Sequence, residues 1–187
     1  MLFTINELID LVIMVLAIGY IFSSYFKREP TEGYDPLVYY KKSSFFEDLK
    51  QGIIVAAPAI VLHELMHKFV AMGFGVQATL HAPLGWYVIV VVMRLLNFPL
   101  LFFVGGYVTH PIMPPLQSSI VSLAGPFTNL LLYLICLAIV RFKIVERKHY
   151  NIIGMAGKLN LFLFAFNLIP LPGFDGYNAI MDLIRLL

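Results

Sequence analysis

The stretch VLHELMHKFV, residues 61–70, places ionisable side chains inside an otherwise apolar run. His63 and His67 are four positions apart, so on an α-helix they project from the same face, one turn from each other. Two imidazoles in that arrangement can bind one metal ion, and the adjacent Glu64 is placed to take a proton from a water molecule on the metal. Zinc suits these ligands best, and a catalytic zinc site needs a third protein ligand.

The location of this motif strengthens the metal hypothesis. Chance matches to so short a pattern occur in soluble helices, where the glutamate and the histidines are simply solvated. Inside a membrane segment an ionisable residue is costly, and lipid cannot satisfy three of them on one turn. The sequence therefore favours a metal site over a solvated helix face.

A second stretch, NLIPLPGFDGYN at residues 167–178, supplies the candidate third ligand. Its closely spaced prolines and glycines leave backbone polar groups unpaired, and at membrane depth such backbone is tolerated where it lines a cavity or is buried in protein. Considered alone, Asp175 would be interpreted as a turn cap at the membrane surface. Because the histidine pair lacks a third ligand, we expect Asp175 to provide it.

The composition is that of a membrane protein. Of the 187 residues, 60% are hydrophobic and 13% charged, and the mean hydropathy is +0.84. The net charge is +2 with scattered basic residues, which suggests neither nucleic acid nor an acidic partner. The single cysteine, Cys136, excludes an intrachain disulfide and is expected to be a buried, inert thiol.

The apolar runs predict a mainly α-helical, polytopic bundle with about four spanning helices, at residues 4–26, 52–72, 117–140 and 152–169. We expect the first of these to be an uncleaved membrane helix, because no basic leader or cleavage site is visible. The whole chain, 1–187, is interpreted as one membrane-embedded domain made of an N-terminal helix, a polar connection and a core, at residues 1–26, 27–50 and 51–187.

Residues 78–108 do not fit a plain lipid-facing helix. Arg94 lies near the middle of an apolar run, where an arginine costs about 2.5–3.5 kcal/mol. The run at 88–92 is rich in β-branched residues, which favours strand. We expect a membrane-associated β or re-entrant segment at about 78–108, with a broken helix as the alternative.

At this point the motifs resemble those of a known family. HELMH and NLIPLPGFDG are similar to the two signatures of the site-2 protease family of intramembrane zinc metalloproteases, and AGPFTN at 124–129 resembles the stretch between them. The resemblance covers about residues 52–180. It implies the following ligands for one zinc ion: His63, His67 and Asp175. It also implies that Glu64 is the general base.

The same resemblance implies supporting roles for two asparagines. Asn167 opens the second motif and would hold substrate or the transition state, and Asn129 would have a structural or substrate-supporting role. VGGYV at 104–108 resembles the family's glycine-containing strand stretch, which favours strand there. The sequence departs from many members at Met66 and Lys68.

The resemblance implies a transmembrane protein as substrate, within the lipid bilayer. The substrate helix must unwind locally before hydrolysis, because intrahelical hydrogen bonds shield its peptide bonds. No stretch is long enough for a separate PDZ or CBS module, so we expect gating by the membrane core or by an unidentified membrane partner. We expect a multi-pass protein of the cell membrane.

The remaining histidines and several aromatic residues are expected to lie outside the site. His81, His110 and His149 fall in connecting segments and are interpreted as solvated or hydrogen-bonded side chains rather than zinc ligands. Five aromatic residues are interpreted as anchors at the membrane interface: Tyr34, Tyr39, Tyr40, Trp86 and Tyr87.

Two questions stay open from the sequence. The distribution of Lys and Arg places the loops 27–50 and 141–150 in the cytoplasm, whereas the family resemblance implies the opposite orientation, which we favour. Two other function classes are a metal or ion transporter and a non-catalytic relative that acts as a scaffold. A transporter gives Glu64 no role and usually shows internal repeats, and the intact set of motif residues argues against a scaffold.

Overall fold

The computed structural model describes residues 2–23, 45–96, 98 and 105–186. It confirms the mainly α-helical fold, since two short strands accompany six helices in these residues. In chain order the elements are α1 (Ile5–Phe22), α2 (Phe45–Gly73), β1 (Thr79–His81), α3 (Leu84–Leu95), β2 (Tyr107–Thr109), α4 (Pro115–Arg141), a 3₁₀ turn (Arg147–His149), α5 (Tyr150–Asn167) and α6 (Asp175–Ile184). The single-domain organisation stays a prediction.

Three of the described helices, α1, α2 and α4, are long and apolar enough to cross a membrane. Large apolar side chains cover the outward face of α1, among them Ile5, Ile9, Val12 and Leu16. This pattern is the reverse of a helix in water, and it suits lipid. The fourth predicted spanning segment forms α5, which carries the polar residues Lys158 and Asn160.

Helix α2 begins earlier than predicted. Residues 45–50, which the sequence assigned to the polar connection, form its first turns. Glu47 and Asp48 lie in the first turn, where negative charge is favourable beside the positive end of the helix dipole. The rest of the predicted connection and its three tyrosines, up to residue 44, lie outside the described residues.

The region at 78–108 combines both structures that the sequence left open. Strands β1 and β2 pair antiparallel, with Leu80 opposite Val108, and helix α3 lies between them in the chain. The strand prediction for residues 88–92 was wrong, because these residues belong to α3. A helix satisfies its own backbone hydrogen bonds in an apolar environment, and this requirement outweighs a weak β-propensity.

Two polar residues of α3 have partners inside the protein. Arg94 donates from Nη2 to Ser23 Oγ at 2.8 Å, and its guanidinium lies 4.0 Å from the centre of the Tyr20 ring. Tyr87 is buried and donates to the carbonyl oxygen of Gly105. Its prediction as an interface anchor was therefore wrong, since the hydroxyl ties α3 to the segment that precedes β2.

The core joins α1, α2 and the β segment. Its central buried side chains include Met14, Ile18, Ile60 and Leu80. Helices α1 and α2 pack closely at two glycines. A β-carbon at Gly19 would collide with Ile53, and one at Gly52 would lie 2.9 Å from the backbone nitrogen of Ser23. Small residues at a crossing let membrane helices approach each other, so this contact fixes α1 against the helix that carries the histidines.

A buried ion pair further ties these elements together. Lys68 Nζ contacts Glu7 Oε1, and both side chains are only 2% exposed. The same carboxylate oxygen accepts a hydrogen bond from the backbone of Leu80 at 2.8 Å, and the other oxygen accepts one from the backbone of Thr4 at 2.8 Å. The carboxylate thus links α1, α2 and β1.

Candidate metal centre

The helix α2 brings the two motif histidines together as their spacing predicts. His63 and His67 are both buried, and their ring centroids are 4.8 Å apart. Their Nε2 atoms lie 3.1 Å from each other. One helical turn therefore aims two imidazole nitrogens at the same point in space.

The turn between α5 and α6 brings Asp175 to that point. Gly173 adopts a positive φ of 97°, a conformation that glycine tolerates, and α6 begins two residues later at Asp175 itself. The start of α6 packs on the end of α5, since a β-carbon at Gly176 would lie 2.6 Å from the backbone carbon of Leu168. Asp175 Oδ2 lies 3.0 Å from His63 Nε2 and 3.4 Å from His67 Nε2.

The three distances fit a tetrahedral zinc ion. Zinc bonds to nitrogen and oxygen of about 2.0–2.1 Å imply that neighbouring ligand atoms are about 3.3 Å apart. The observed separations of 3.1, 3.0 and 3.4 Å lie close to that edge length. The three side chains also form the one possible metal-binding group found among the described residues.

The hydrogen bonds behind the imidazoles determine which ring nitrogens face the site. His67 Nδ1 lies 2.7 Å from the carbonyl oxygen of Val121, which only accepts, so this nitrogen carries the hydrogen. His63 Nδ1 lies 2.6 Å from Asn129 Oδ1, which also accepts. Both Nε2 atoms are then left with a lone pair directed at the site, the form that binds metal.

This arrangement suits a cation. Two Nε2 lone pairs and one carboxylate oxygen converge within 3.4 Å. A proton can bridge two such atoms, whereas a metal ion binds all three.

Space beside the imidazoles is kept by a glycine of α4. A β-carbon at Gly125 would lie 2.6 Å from His63 Nε2 and would also collide with His67 Nε2. The backbone of α4 can therefore pass directly beside both ligand atoms only without a side chain at this position. The AGPFTN stretch contained this glycine, but no local pattern indicated why a glycine is needed there.

Glu64 lies on the same turn, against the backbone that leads into β2. It is 7% exposed, and its side chain lies beside the backbone of Gly105 and Gly106. A β-carbon at Gly106 would lie 3.1 Å from Glu64 Cγ, and one at Gly105 would collide with Ile60. The two glycines of the VGGYV stretch thus allow the chain to approach the carboxylate closely.

The predicted asparagines occupy different places. Asn167 is the last residue of α5 and lines a cavity of about 580 Å³ onto which the histidines and Glu64 also open. Asn129 is fully buried and contacts His63, Ala59 and Asn160. These contacts place Asn129 behind the imidazole, whereas Asn167 lies at the cavity wall.

Two residues interpreted as lying outside the site also line this cavity, namely Trp86 and His110. His110 Nδ1 lies 2.8 Å from the carbonyl oxygen of Pro111. His81, at the end of β1, lies 3.0 Å from Thr109 Oγ1 and does not belong to the metal-binding group, as expected of a hydrogen-bonded histidine.

Sequence reasoning missed Asn160 and the Val121 carbonyl. Asn160 is a polar residue directly before the apolar stretch LFLF, and a polar residue at such a position in an apolar run was a usable signal. A backbone carbonyl leaves no signal in a sequence, because every residue has one.

Comparison with known proteins agrees with this geometry. The profile of Peptidase family M50 matches residues 51–146. A protein of Methanocaldococcus jannaschii named "Putative zinc metalloprotease MJ0611" is 31% identical over 184 residues, covering 95% of this chain and 85% of that protein. A Bacillus subtilis protein named "Putative zinc metalloprotease YwhC" is 32% identical over 156 residues, covering 71% of this chain and 68% of that protein.

The matched residues include the histidine pair and the AGPFTN stretch. No solved structure matches the chain significantly. The family profile covers just over half of the chain, and the similarity to the Methanocaldococcus jannaschii protein covers 95% of it. Together with the three apolar helices, these matches identify a membrane protein. The chain belongs to peptidase family M50, the site-2 protease family that its motifs resemble.

Proposed function

We propose that this protein is an intramembrane zinc metalloendopeptidase that binds one zinc ion through His63, His67 and Asp175. The observation that carries the proposal is the convergence of three electron-pair donors, each with its direction fixed. The two imidazoles are oriented by acceptors at their Nδ1 atoms, and the carboxylate completes the set at 3.0 and 3.4 Å. The names of the relatives support zinc as the metal.

A zinc ion in this position supplies a Lewis acid and a nucleophilic water molecule at neutral pH. Glu64 is the general base in the proposal. It is buried on the cavity wall beside the histidines, so its carboxylate takes a proton from the attacking water molecule and returns it to the leaving amine. Close packing of Gly106 against the Glu64 side chain holds the carboxylate in place during both transfers.

The proposed substrate is a transmembrane segment in an extended conformation. Residues of β2 and the segment before it line the cavity, and β2 pairs with β1 along one edge. Along its other edge β2 has no partner strand within the described part of the chain. An unwound substrate segment added there would gain main-chain hydrogen bonds next to Glu64.

Asn167 is proposed to donate to the substrate carbonyl or to the transition state, since it lines the same cavity. Asn129 is proposed to orient His63 instead, because all its contacts are with protein. Three apolar helices and the outward apolar face of α1 support a multi-pass arrangement, and we propose the cell membrane as the location.

The test compares purified wild-type protein with Glu64→Gln for zinc content and for cleavage of a reporter transmembrane helix. Both proteins should contain one zinc ion per chain. Cleavage should fall by about 10²- to 10⁴-fold in the variant, the usual contribution of a general base. His81→Gln is a matched control on a hydrogen-bonded histidine away from the metal-binding group, and it should keep both zinc and cleavage.

Two results would contradict the proposal. Cleavage that persists in Glu64→Gln would show that Glu64 is not the general base. Zinc-loaded wild-type protein that cleaves no reporter helix would instead favour a scaffold. If that protein also moved zinc across a liposome membrane, a transporter would be the better assignment.

A further inference from the structure

Asn160 is a polar side chain with no assigned task in the middle of α5. It is 4% exposed and is followed by four apolar residues. Its side chain reaches across to α4, where Asn129 Nδ2 donates to Asn160 Oδ1 at 2.9 Å. Asn129 in turn contacts His63, so Asn160 is two hydrogen bonds away from a proposed zinc ligand.

Two backbone carbonyls determine the direction of these hydrogen bonds. Asn160 Nδ2 donates to the carbonyl oxygen of Ala156 at 2.8 Å, so Asn160 must present Oδ1 to its neighbour. Asn129 Nδ2 donates to the carbonyl oxygen of Ala59 at 2.9 Å as well as to Asn160. Both hydrogens of that amide are then used, and Oδ1 is left facing His63 Nδ1 at 2.6 Å.

The orientation of the Asn129 amide determines the chemistry of His63. With Oδ1 towards the imidazole, Nδ1 carries the hydrogen and Nε2 keeps a lone pair for the metal. A reversed amide would direct N–H groups at Nδ1 and would favour the tautomer with hydrogen on Nε2, which cannot bind zinc. It would also set Asn129 Oδ1 against two other acceptors, Ala59 O and Asn160 Oδ1.

We propose that Asn160 is a positioning residue that holds the Asn129 amide in the orientation that makes His63 a zinc ligand. This inference rests on the proposed function. Asn160 touches neither the metal-binding group nor the cavity, so it acts through Asn129 alone. Without it, a single carbonyl, that of Ala59, opposes the reversed amide.

A purely structural role makes a different prediction. Hydrogen bonds between membrane helices stabilise packing, and loss of such a bond would lower the stability of the fold whatever the orientation of Asn129. Only the positioning role requires that zinc affinity depend on Asn160 through Asn129. Zinc affinity is therefore the decisive measurement, taken by chelator competition on the full chain in detergent.

The principal variant is Asn160→Leu, which is close in size and makes no hydrogen bond. We expect its zinc affinity to fall about tenfold, at the low end of the range for residues that orient metal ligands. Asn160→Asp should keep most of the wild-type zinc affinity, because a buried neutral carboxyl offers the same acceptor and an O–H donor. Thr128→Val is the matched control, since it removes one 2.8 Å hydrogen bond on α4 without contacting His63.

The double variant tests whether Asn160 affects zinc binding through Asn129. Asn129→Leu should lower zinc affinity by about 10- to 100-fold. In that background, adding Asn160→Leu should change zinc affinity by no more than about twofold, because the connection to His63 is already broken.

Several outcomes would overturn the inference. Wild-type zinc affinity in Asn160→Leu, an equal loss in Thr128→Val, or an undiminished loss in the Asn129→Leu background would each do so. If wild-type protein binds zinc and Asn160→Leu binds it equally well, this inference fails and the proposed function stands. If wild-type protein binds no zinc, both fail.

Discussion

Two adjacent residues of α2, His67 and Lys68, serve two buried polar clusters of opposite character. On one side Lys68 meets Glu7, whose carboxylate also accepts two backbone hydrogen bonds. Every charge in that cluster has a partner of opposite sign or a donor. On the other side His67, His63 and Asp175 direct only electron pairs at one another and open onto a cavity.

The difference shows how to tell a structural polar cluster from a functional one inside a membrane protein. Both clusters are costly to bury. The Glu7 cluster is complete within the protein and is closed to solvent. The histidine cluster directs its electron pairs at one point where a cation would bind, and it opens onto the cavity. Substitutions in the Glu7 cluster should therefore affect folding, and substitutions in the histidine cluster should affect metal binding.

The largest effect is expected from Lys68→Met. It leaves Glu7 buried and unpaired, which should lower the free energy of unfolding by about 3–5 kcal/mol. The double variant Glu7→Gln with Lys68→Met should recover much of this loss, since Gln still accepts from Leu80. Denaturation in detergent measures both. Lys148→Met, which breaks an exposed pair with Glu146, is the control and should change little.

The contrast between the two clusters would be contradicted if Lys68→Met reduced the free energy of zinc binding to the folded protein as much as it reduced the free energy of unfolding. The two sides of α2 would then be coupled, and the Glu7 cluster would belong to the metal site.

Asp175→Asn should have the next largest effect, now on zinc. If about 10–16 kcal/mol of zinc binding is shared among four ligands, one ligand contributes about 2.5–4 kcal/mol. The variant should therefore lose zinc to a chelator while it stays folded. Asp182→Asn alters a buried carboxylate of the same helix that pairs with Arg185, and it should keep zinc. Equal zinc loss in both variants would point to a general disturbance of α6.

Gly125→Ala tests the space beside the imidazoles. Its β-carbon would collide with the Nε2 atoms of His63 and His67, so the rings must turn away from the site. We expect zinc affinity to fall about 10- to 100-fold, as for other residues that orient metal ligands. Gly154→Ala makes the same change on α5, where nothing lies within 4 Å, and zinc affinity should not change. Unchanged zinc affinity in Gly125→Ala would refute the close packing of α4.

The smallest effect is expected from Gly106→Ala. The added carbon would lie 3.1 Å from Glu64 Cγ and 3.3 Å from Cδ, so the carboxylate must shift by a few tenths of an ångström. A misplacement of 1 Å can cost about 10²-fold, so we expect cleavage to fall about fivefold with zinc retained. Gly85→Ala, with no neighbour within 4 Å, is the control. A loss of zinc in Gly106→Ala would show that this segment supports the metal rather than the base.

Local features of the fold followed well from the sequence. The spacing of His63 and His67 placed both on one face of a helix, and long apolar runs predicted α1, α2 and α4. Helix α3 was less predictable. β-Branched residues favour strands in general, but they form a helix where the backbone is away from water and must make its hydrogen bonds within the segment. The strands β1 and β2 are three residues each, too short for a clear alternating pattern.

The sequence by itself determined that this chain is rich in helices apolar and long enough to span a membrane, that one of them carries two imidazoles a turn apart, and that a carboxylate lies in a helix-breaking turn. Those properties depend on residues close together in the chain. Only the tertiary structure decided that His67 faces a cavity while Lys68 meets Glu7, 61 residues away. It likewise decided that the Val121 carbonyl and Asn129 lie within hydrogen-bond distance of the imidazole Nδ1 atoms. A side chain's hydrogen-bond partners depend on which helices pack together, and that packing is set by contacts across the whole chain.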